Sequence, residues 1–263
     1  TQSRSSAASD VYKRQGIYIR EMSMRKDSMV IGKIHNKSHT WFLMKGKIIV
    51  ATEKGVEEFV MGMAHRGRLN TLTNIFGKSS KDIFSEFDGK DYEEVIFDGD
   101  VKYHLGWSSN RTTNTGKKIN MSIAPNPSHL ETVGAIVEGI TRSKLEHKFD
   151  GDTNKVLPII VHGDAAIAGQ GLPYEITQMA LLKGYGTGGT VHIVVNNQIG
   201  FTTNYLDARS STYCTDVGKV TLSPVLHVNS DDAEAVVHAV LFALDYRMQF
   251  GRDVFIAVSY THL

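Results

Sequence analysis

Short apolar runs recur along the chain from about residue 55 onward and predict the strands of a sheet. The runs cover Glu58–Met63, Asn120–Ala124, Val156–Val161, Thr190–Val195 and Val254–Val258. Val156–Val161 and Thr190–Val195 are almost continuously apolar, as expected for central parallel strands that are covered on both faces. The pattern therefore predicts a mostly parallel sheet with both of its faces buried.

Between the strands, apolar residues return at helical spacing and predict flanking helices. Ser128 with Glu131, and Asp231 with Glu234, have the spacing of capping boxes at two helix starts. A further helix is expected from about Leu172 to Lys183. Because strands and helices alternate, we predict an α/β fold. The apolar helix positions are Leu69, Leu72, Ile75 and Phe76, then Leu130, Val133, Val137 and Ile140, and finally Val236, Val237, Val240, Leu241, Leu244 and Met248.

Polarity and periodicity divide the rest of the chain. Lys81–Lys118 is polar and contains four glycines, so we predict long functional loops there. Residues 1–54 have poor periodicity and a Ser- and Ala-rich start, and we expect them to be partly disordered or artefactual. Residues 55–258 form the predicted α/β domain, and residues 259–263 are interpreted as a non-native tail. The whole chain is interpreted as a piece of a longer protein.

Polar residues stand at the predicted ends of two strands. Asp164 follows the run that ends at Val161, and Asn196 and Asn197 follow the run that ends at Val195. In open α/β sheets ligands bind at the carboxyl ends of the strands, so we expect Asp164 and Asn197 to converge. A carboxylate with amide oxygens suits Mg²⁺, which shares its shell with ligand phosphates. The alternative is that Asp164 only caps a helix and Asn197 only makes a turn.

Composition narrows the class of protein. The chain has 263 residues, is 41% hydrophobic and 22% charged, and has a formal net charge of +1. Without a clustered excess of Lys and Arg, neither nucleic-acid binding nor a polybasic membrane surface is expected. No apolar run approaches the about 18 residues of a membrane span. The single Cys214 favours an intracellular compartment and is interpreted as an inert small hydrophobe.

Six segments, in chain order, resemble one known family. They are Met63–Asn70, Val101–Gly106, Asn126–Glu131, His162–Ala166, Val195–Thr203 and His227–Asp232. With the spacing between Asp164 and Asn197, they resemble the first thiamine diphosphate-binding domain of the E1 components of 2-oxoglutarate dehydrogenases. Ala165 occupies a position where the thiamine diphosphate motif commonly has glycine. The resemblance covers about residues 55–258 and implies the thiamine diphosphate-binding fold.

The resemblance implies a bound thiamine diphosphate and Mg²⁺. It assigns the metal to Asp164, Asn197 and the backbone carbonyl of Ile199, with the diphosphate and a water completing an octahedron. Ala165 and Ala166 are expected to expose backbone N–H groups to phosphate near a helix start.

Three further positions resemble cofactor contacts in the family. Arg66 resembles the partner of the phosphate or the ring, and Ser128 and Leu130 resemble residues that contact the cofactor. From the residues alone, Ser128 can also be a plain N-cap, and Arg66 can also be a solvated surface charge.

For the substrate, the resemblance implies His65 and His104 as catalytic and substrate-binding residues, and Ser108 as a substrate contact. An imidazole titrates near neutral pH, so either histidine can bind a distal carboxylate or move protons. A histidine in a loop can also be purely structural. For His129 and His162, a structural role and a direct cofactor role both stay open.

The implied activity is oxidative decarboxylation of 2-oxoglutarate, with succinyl transfer to the lipoyl group of the E2 dihydrolipoyl succinyltransferase in the tricarboxylic acid cycle. A 2-oxoadipate dehydrogenase E1 or a 2-oxoglutarate decarboxylase is the alternative within the family. The cofactor-activating carboxylate is expected in a second domain beyond this chain, so we expect the chain alone to be inactive. The full-length protein is expected to be a homodimer in a multienzyme complex, in the bacterial cytoplasm or the mitochondrial matrix.

Two other classes of protein are alternatives to this family. A nicotinamide-binding Rossmann domain needs a third glycine, which Gly169–Tyr174 lacks, and Gly184–Gly186 precedes a strand when it should follow one. A non-enzymatic scaffold that keeps the fold without catalysis is the remaining alternative. Binding of thiamine diphosphate with Mg²⁺ would discriminate between a scaffold and an enzyme domain.

Overall fold

The computed structural model describes residues 11–14, 17–20, 22–23, 29–30, 34–35, 51–88, 104–113, 115–126 and 129–260. The strands are β1 (Val11–Arg14), β2 (Ile17–Arg20), β3 (Met22–Ser23), β4 (Met29–Val30), β5 (Ile34–His35), β6 (Glu58–Met63), β7 (Trp107–Thr112), β8 (Lys118–Ile123), β9 (Val156–Gly163), β10 (Val191–Asn196), β11 (Ile199–Gly200), β12 (Thr203–Asn204), β13 (Val225–Asn229) and β14 (Val254–Ser259). The helices are α1 (Arg68–Asn70), which continues as a π-helical turn over Thr71–Ile75, α2 (Ser80–Asp88), α3 (Thr132–Lys148), α4 (Asp164–Gly169), α5 (Gly171–Met179), α6 (Tyr205–Ala208), a 3₁₀ helix over Cys214–Thr221, and α7 (Ala233–Phe250).

Seven strands form the main sheet, in the order β13-β14-β10-β9-β6-β8-β7. Neighbouring strands in it are parallel, except that β7 runs antiparallel to β8. The predicted α/β fold with a mostly parallel sheet is therefore confirmed. The strands predicted at Glu58–Met63, Val156–Val161 and Thr190–Val195 are confirmed as β6, β9 and β10, which are neighbours near the middle of the sheet.

Helices pack on both faces of the sheet. Alternate side chains of a strand point to opposite faces, so each strand contributes to the apolar clusters on both sides. On β6, Phe59 and Met61 belong to one apolar cluster with Leu244 of α7. Val60, between them in sequence, belongs to a second cluster with Val137 of α3. The sheet is therefore the middle layer of the fold. Within the described ranges, no helix has the length and apolar character that crossing a bilayer requires.

The prediction of long loops over Lys81–Lys118 is wrong in part. Helix α2 begins one residue before this stretch, and β7 lies within it, paired with β8. Strand β7 was not recognised from the pattern because it is one of the two edge strands of the main sheet, and most of its side chains are exposed and polar. An edge strand has no continuous apolar run to reveal it. The loop prediction for residues 89–103 lies outside the described residues.

Two helix starts differ from the predicted capping boxes. Glu131 occupies the N-cap position of α3 with a φ of 70° and without a side-chain cap, and Ser128 lies outside the described residues. At α7, Asp232 is the cap in place of Asp231, and its carboxylate accepts a 2.9 Å hydrogen bond from the N–H of Ala235. The capping spacing was present in sequence, but the backbone geometry before each helix selected another residue.

The helix predicted from about Leu172 to Lys183 is also different. Helix α4 begins directly after β9, and Gln170, with extended backbone angles, separates it from α5. Helix α5 then ends at Met179, before the glycine-rich segment. Asp164 is consequently the first residue of a helix and not a loop residue.

Glu58, at the start of β6, is a buried carboxylate that joins the sheet to α3. It accepts a hydrogen bond from Lys144 Nζ at 2.5 Å and another from Lys148 Nζ. Burial by itself would raise the pKa of Glu58, but the two ammonium hydrogen bonds outweigh burial and hold that pKa below its usual value. A depressed pKa in the folded state means that the ionised carboxylate stabilises the fold, and that this stabilisation is lost as the pH falls through the folded-state pKa.

We therefore expect Glu58→Gln to lower the free energy of unfolding at pH 7 by about 1.5–3 kcal/mol, the range for hydrogen bonds to charged groups. The difference from the unsubstituted chain should shrink as the pH falls below the usual glutamate range. Urea unfolding at several pH values measures both effects. Glu57→Gln is the matched control, because Glu57 is the exposed neighbour and pairs with Lys155. A difference that is constant from pH 7 to pH 3 would contradict this account.

Candidate metal site

The carboxyl ends of β9 and β10 lie side by side because these strands are adjacent and parallel. Val195 of β10 is in register with Gly163, the last residue of β9. Asp164 comes next after Gly163, and Asn197 follows the last residue of β10. The structure therefore brings Asp164 and Asn197 together at the carboxyl ends of two neighbouring strands, as the strand order requires.

The Asn197 amide lies between two oxygens of the predicted site and the Arg66 guanidinium. One of its terminal atoms lies 2.9 Å from Oδ1 of Asp164 and 2.9 Å from the carbonyl oxygen of Ile199, and its other terminal atom lies 3.2 Å from NH1 of Arg66. If the inner atom is nitrogen, it donates to both oxygens. If it is oxygen, three acceptors face one another, and only a cation among them makes that arrangement favourable.

The chemistry of these groups fits a small hard cation. Mg²⁺ binds oxygens at about 2.0–2.1 Å in an octahedron, which places neighbouring ligand oxygens about 2.9 Å apart. The Asp164 side chain is 2% exposed, and its Oδ2 has no hydrogen-bond partner. Within the described ranges, no group of three or more His, Cys, Asp or Glu side chains is placed to hold a metal. The donors present are one carboxylate, one amide and one carbonyl, which is a set for Mg²⁺ or Ca²⁺ and not for zinc.

Burial makes the Asp164 carboxylate a costly anion when no cation is bound. Burial raises the pKa of Asp164 above its usual value, and the charge of Arg209 together with hydrogen bonds from nearby backbone N–H groups only partly opposes that shift. A bound cation favours the ionised form directly. The carboxylate is therefore placed where a metal would interact with it strongly.

The two structural alternatives, that Asp164 caps a helix and that Asn197 makes a turn, have different outcomes. The N-cap of α4 is Gly163, and no side chain caps that helix, so Asp164 does not serve as its cap. Asn197 does take part in a turn, because its Oδ1 accepts a hydrogen bond from Ile199 N at 3.3 Å. In that orientation of the amide, the turn also directs the amide oxygen toward the carboxylate.

A cavity of about 220 Å³ opens beside the three oxygens. Its apolar wall includes Met61, Val161 and Ile193, which come from three neighbouring strands. The polar part lies at the strand ends, as expected for a ligand site in an α/β sheet. The predicted site residues that line the cavity are His65, Arg66, Leu130, Asp164, Ala165, Ala166, Asn197 and Ile199.

The alanine at position 165 is accommodated by a glycine opposite it. A Cβ added to Gly200 would lie 2.6 Å from Cβ of Ala165, closer than real Cβ atoms approach. The short strand β11 therefore passes against the start of α4 with no room for a second side chain. The departure from the motif glycine at position 165 depends on Gly200.

The other predicted residues are placed differently. His104 is buried, its backbone carbonyl accepts a hydrogen bond from Asn126 N at 3.0 Å, and its ring centre lies 6.4 Å from that of His65. Ser108 is on β7, where its Oγ accepts a 3.4 Å hydrogen bond from Asn120 Nδ2. Neither His104 nor Ser108 is among the residues that line the cavity. Ser128 lies outside the described residues.

A buried chain of polar side chains leads away from the cavity wall. His162 Nδ1 hydrogen-bonds the carboxylate of Glu131, and His162 Nε2 lies 3.0 Å from Nδ1 of His192. The His192 ring stacks on Phe255 with centres 4.3 Å apart, and its Nε2 lies 3.5 Å from Oδ2 of Asp253. Both ring nitrogens of His162 are thus engaged within the protein. The sequence signal for this chain was a histidine inside each of two otherwise apolar strands.

Cys214 is buried, and burial raises the pKa of its thiol to about 11. A thiol with that pKa is protonated at neutral pH and is a poor nucleophile. Cys214 packs with Val194 and Phe255 in an apolar cluster, which agrees with its interpretation as an inert residue.

Known proteins resemble this chain along most of its length. Residues 44–260 match a family model described as "Dehydrogenase E1 component". The 2-oxoglutarate dehydrogenase E1 component of Azotobacter vinelandii is 55% identical over 203 residues, which cover 77% of this chain and 21% of that protein. The mitochondrial 2-oxoglutarate dehydrogenase of Dictyostelium discoideum is 51% identical over 218 residues, covering 82% and 22%.

A relative with a different name is almost as similar. The "Multifunctional 2-oxoglutarate metabolism enzyme" of Mycolicibacterium vanbaalenii is 49% identical over 219 residues, covering 81% of this chain and 18% of that protein. The chain spans about a fifth of the length of these relatives. Since the family model covers most of the chain, the chain belongs to the family of dehydrogenase E1 components.

Proposed function

We propose that residues 55–258 are the metal- and diphosphate-binding domain of a thiamine diphosphate-dependent E1 enzyme. The observation that carries the proposal is the convergence of the Asp164 carboxylate, the Asn197 amide and the Ile199 carbonyl beside a cavity. The names of the similar proteins support 2-oxoglutarate as the substrate of the whole enzyme.

In this proposal, Asp164, Asn197 and the Ile199 carbonyl hold Mg²⁺. A single carboxylate leaves positive charge on the ion for the diphosphate of the cofactor, and the two neutral oxygens add no further negative charge. Arg66, whose guanidinium lies beside the Asn197 amide, adds a positive charge on the cavity side. Ala165 lines the cavity at the start of α4, where backbone N–H groups are available to phosphate oxygens.

Three further residues belong to the proposal as cofactor contacts. Leu130 and Ala166 line the cavity and give it part of its boundary. Ser128 is proposed as a further contact of the cofactor, as the resemblance to the family implies. Thiamine diphosphate, when bound, supplies the electron sink that decarboxylation of a 2-oxo acid requires.

The substrate side of the proposal depends on two histidines and a serine. His65 is exposed and lines the cavity, so a substrate carboxylate in the cavity would lie beside its imidazole. His104 lies behind it, and Ser108 is at the edge strand, so their roles as substrate contacts require the substrate pocket to extend beyond the cavity. The size of that pocket decides between 2-oxoglutarate and 2-oxoadipate.

The remaining parts of the proposal concern the whole enzyme. We propose succinyl transfer to the lipoyl group of an E2 dihydrolipoyl succinyltransferase, with a homodimeric E1 in the bacterial cytoplasm or the mitochondrial matrix. A 2-oxoglutarate decarboxylase activity is the alternative that the multifunctional relative favours. We also propose that the isolated chain is inactive, because the carboxylate that activates the cofactor comes from another domain.

Calorimetric titration of the 263-residue chain tests the proposal directly. We expect thiamine diphosphate to bind when Mg²⁺ is present and to bind far more weakly when a chelator removes the metal. We expect no release of CO₂ from 2-oxoglutarate by the chain alone. Cofactor binding that ignores the metal would contradict the metal assignment, and turnover by the isolated chain would contradict the need for a second domain.

A further inference from the structure

Arg209 reaches the proposed metal site from a part of the chain that lies outside the six segments that resemble the family. It follows α6, its guanidinium lies 5.4 Å from the ring centre of Tyr205, and its side chain is 9% exposed. Burial of a guanidinium is unfavourable unless its charge and its N–H groups are matched. The buried guanidinium of Arg209 is therefore expected to have an anionic partner.

The partner that faces Arg209 is the outer oxygen of Asp164. Arg209 NH1 lies 3.7 Å from Asp164 Oδ2, which is within ion-pair distance but beyond a hydrogen bond. Neither Oδ2 nor the guanidinium atoms Nε and NH1 have a hydrogen-bond partner, and all of them are buried. Unpartnered atoms of two oppositely charged groups thus face each other at 3.7 Å, too far apart for a hydrogen bond.

The two oxygens of Asp164 consequently have separate surroundings. Oδ1 lies beside the Asn197 amide and is the oxygen that the metal site uses, whereas Oδ2 lies toward Arg209. We propose that Arg209 is a positioning residue of the metal site, which holds Oδ2 of Asp164 so that Oδ1 is presented to Mg²⁺. This inference depends on the proposed function, because it requires a metal between Asp164 and Asn197.

A positioning role and a purely electrostatic role have opposite signs. A positive charge near a cation repels it. At a pH where Asp164 is fully ionised, an arginine that acted only through its charge would therefore weaken metal binding, and its removal would strengthen binding. An arginine that orients the ligand raises the affinity, and loss of such an outer partner lowers metal affinity about 10–100-fold. The direction of the change in affinity therefore distinguishes the two roles.

The test titrates MgCl₂ into the 263-residue chain at fixed thiamine diphosphate, by calorimetry. We expect Arg209→Met to weaken Mg²⁺ binding by about 10–100-fold. Arg209→Lys should recover most of the affinity, because an ammonium can donate a hydrogen bond to Oδ2. Arg252→Met is the control, since Arg252 is exposed and lies outside the cavity lining, and it should bind like the unsubstituted chain.

Equal or tighter Mg²⁺ binding by Arg209→Met would overturn the inference and leave the proposed function intact. Absence of any Mg²⁺-dependent binding by the unsubstituted chain would instead overturn the metal site, and the inference with it. These two outcomes are distinguishable in the same set of titrations.

A second measurement uses the unsubstituted chain and does not depend on the methionine variant folding. In a chain labelled with ¹⁵N-arginine, the Nε–H signal of Arg209 is identified by its loss in Arg209→Lys. We expect that signal to shift and to exchange more slowly with water when Mg²⁺ and thiamine diphosphate are added, because the guanidinium then closes on Oδ2. A signal that stays unchanged while the ligands bind would overturn the inference.

Discussion

Asp164→Asn is expected to lower the affinity of the chain for Mg²⁺ with thiamine diphosphate by about 100-fold or more, a larger loss than that of an outer-shell partner. The substitution keeps the shape of the side chain but removes the charge that draws the cation. It also replaces one of the two oxygens by an N–H donor, so that one orientation of the amide excludes a metal. Calorimetry with and without MgCl₂ measures the loss.

The same variant should keep most of its folding stability without ligands. Burial raises the pKa of Asp164, which means that the ionised carboxylate is unfavourable in the metal-free fold. A neutral amide removes that cost, as is common where a site is kept for function at the expense of stability. Asp207→Asn is the control, because Asp207 is exposed on α6. Unaltered metal-dependent binding in Asp164→Asn, measured beside this control, would show that the three oxygens do not form the site.

The sequence predicted the middle of the fold better than its edges, for a physical reason. Strands β6, β9 and β10 are buried on both faces, so burial requires an apolar run that can be recognised locally. Strand β7 has one neighbour and mostly exposed side chains, so its sequence is polar and resembles a loop. Pairing with β8 across the sheet, and not local composition, makes it a strand.

The convergence of Asp164 with Asn197 was predictable because it depends on topology. Two parallel strands that are neighbours must end at the same edge, so polar residues after Gly163 and Val195 meet without further information. Arg209 was not predictable in that way, because it reaches Asp164 from 45 residues further along the chain through a turn and a short helix. No periodicity or residue spacing in the sequence predicts such a contact.

The position of Glu131 shows how a local rule is overridden by tertiary contacts. Its spacing from Ser128 suits a capping box, yet its carboxylate bonds His162 on β9, and its φ is 70°. A positive φ is unfavourable for glutamate and persists only where surrounding contacts impose it. The buried His162 supplies such a contact, and this pairing of a helix start with a strand end is invisible in sequence.

Arg247 of α7 lies near the starts of β9 and β10, at the opposite strand ends from Asp164 and Asn197. It is 1% exposed, and its guanidinium donates hydrogen bonds to the carbonyls of Gly189, Thr153, Val156 and Thr187 at 3.0, 2.7, 2.9 and 3.3 Å. Burial lowers the pKa of Arg247 to about 10, with the nearby Glu138 and Asp253 carboxylates opposing that shift, so the group is still charged at neutral pH. One side chain thereby binds three loop carbonyls and the carbonyl of Val156, the first residue of β9.

Arg247→Met is expected to lower the free energy of unfolding by about 3–5 kcal/mol, the range for removing one partner from a buried ionic cluster. The methionine fills part of the space but leaves the four carbonyls without their donor and the neighbouring carboxylates without a counter-charge. Urea unfolding at pH 7 measures the change, with the exposed Arg252→Met as the control, for which a change within about 0.5 kcal/mol is expected. Arg247→Lys should fall between the two, because a lysine keeps the charge but cannot reproduce the planar fork. A loss below about 1 kcal/mol in Arg247→Met would mean that water reaches these carbonyls when the guanidinium is gone, and that the loops before β9 and β10 are held by the apolar core alone.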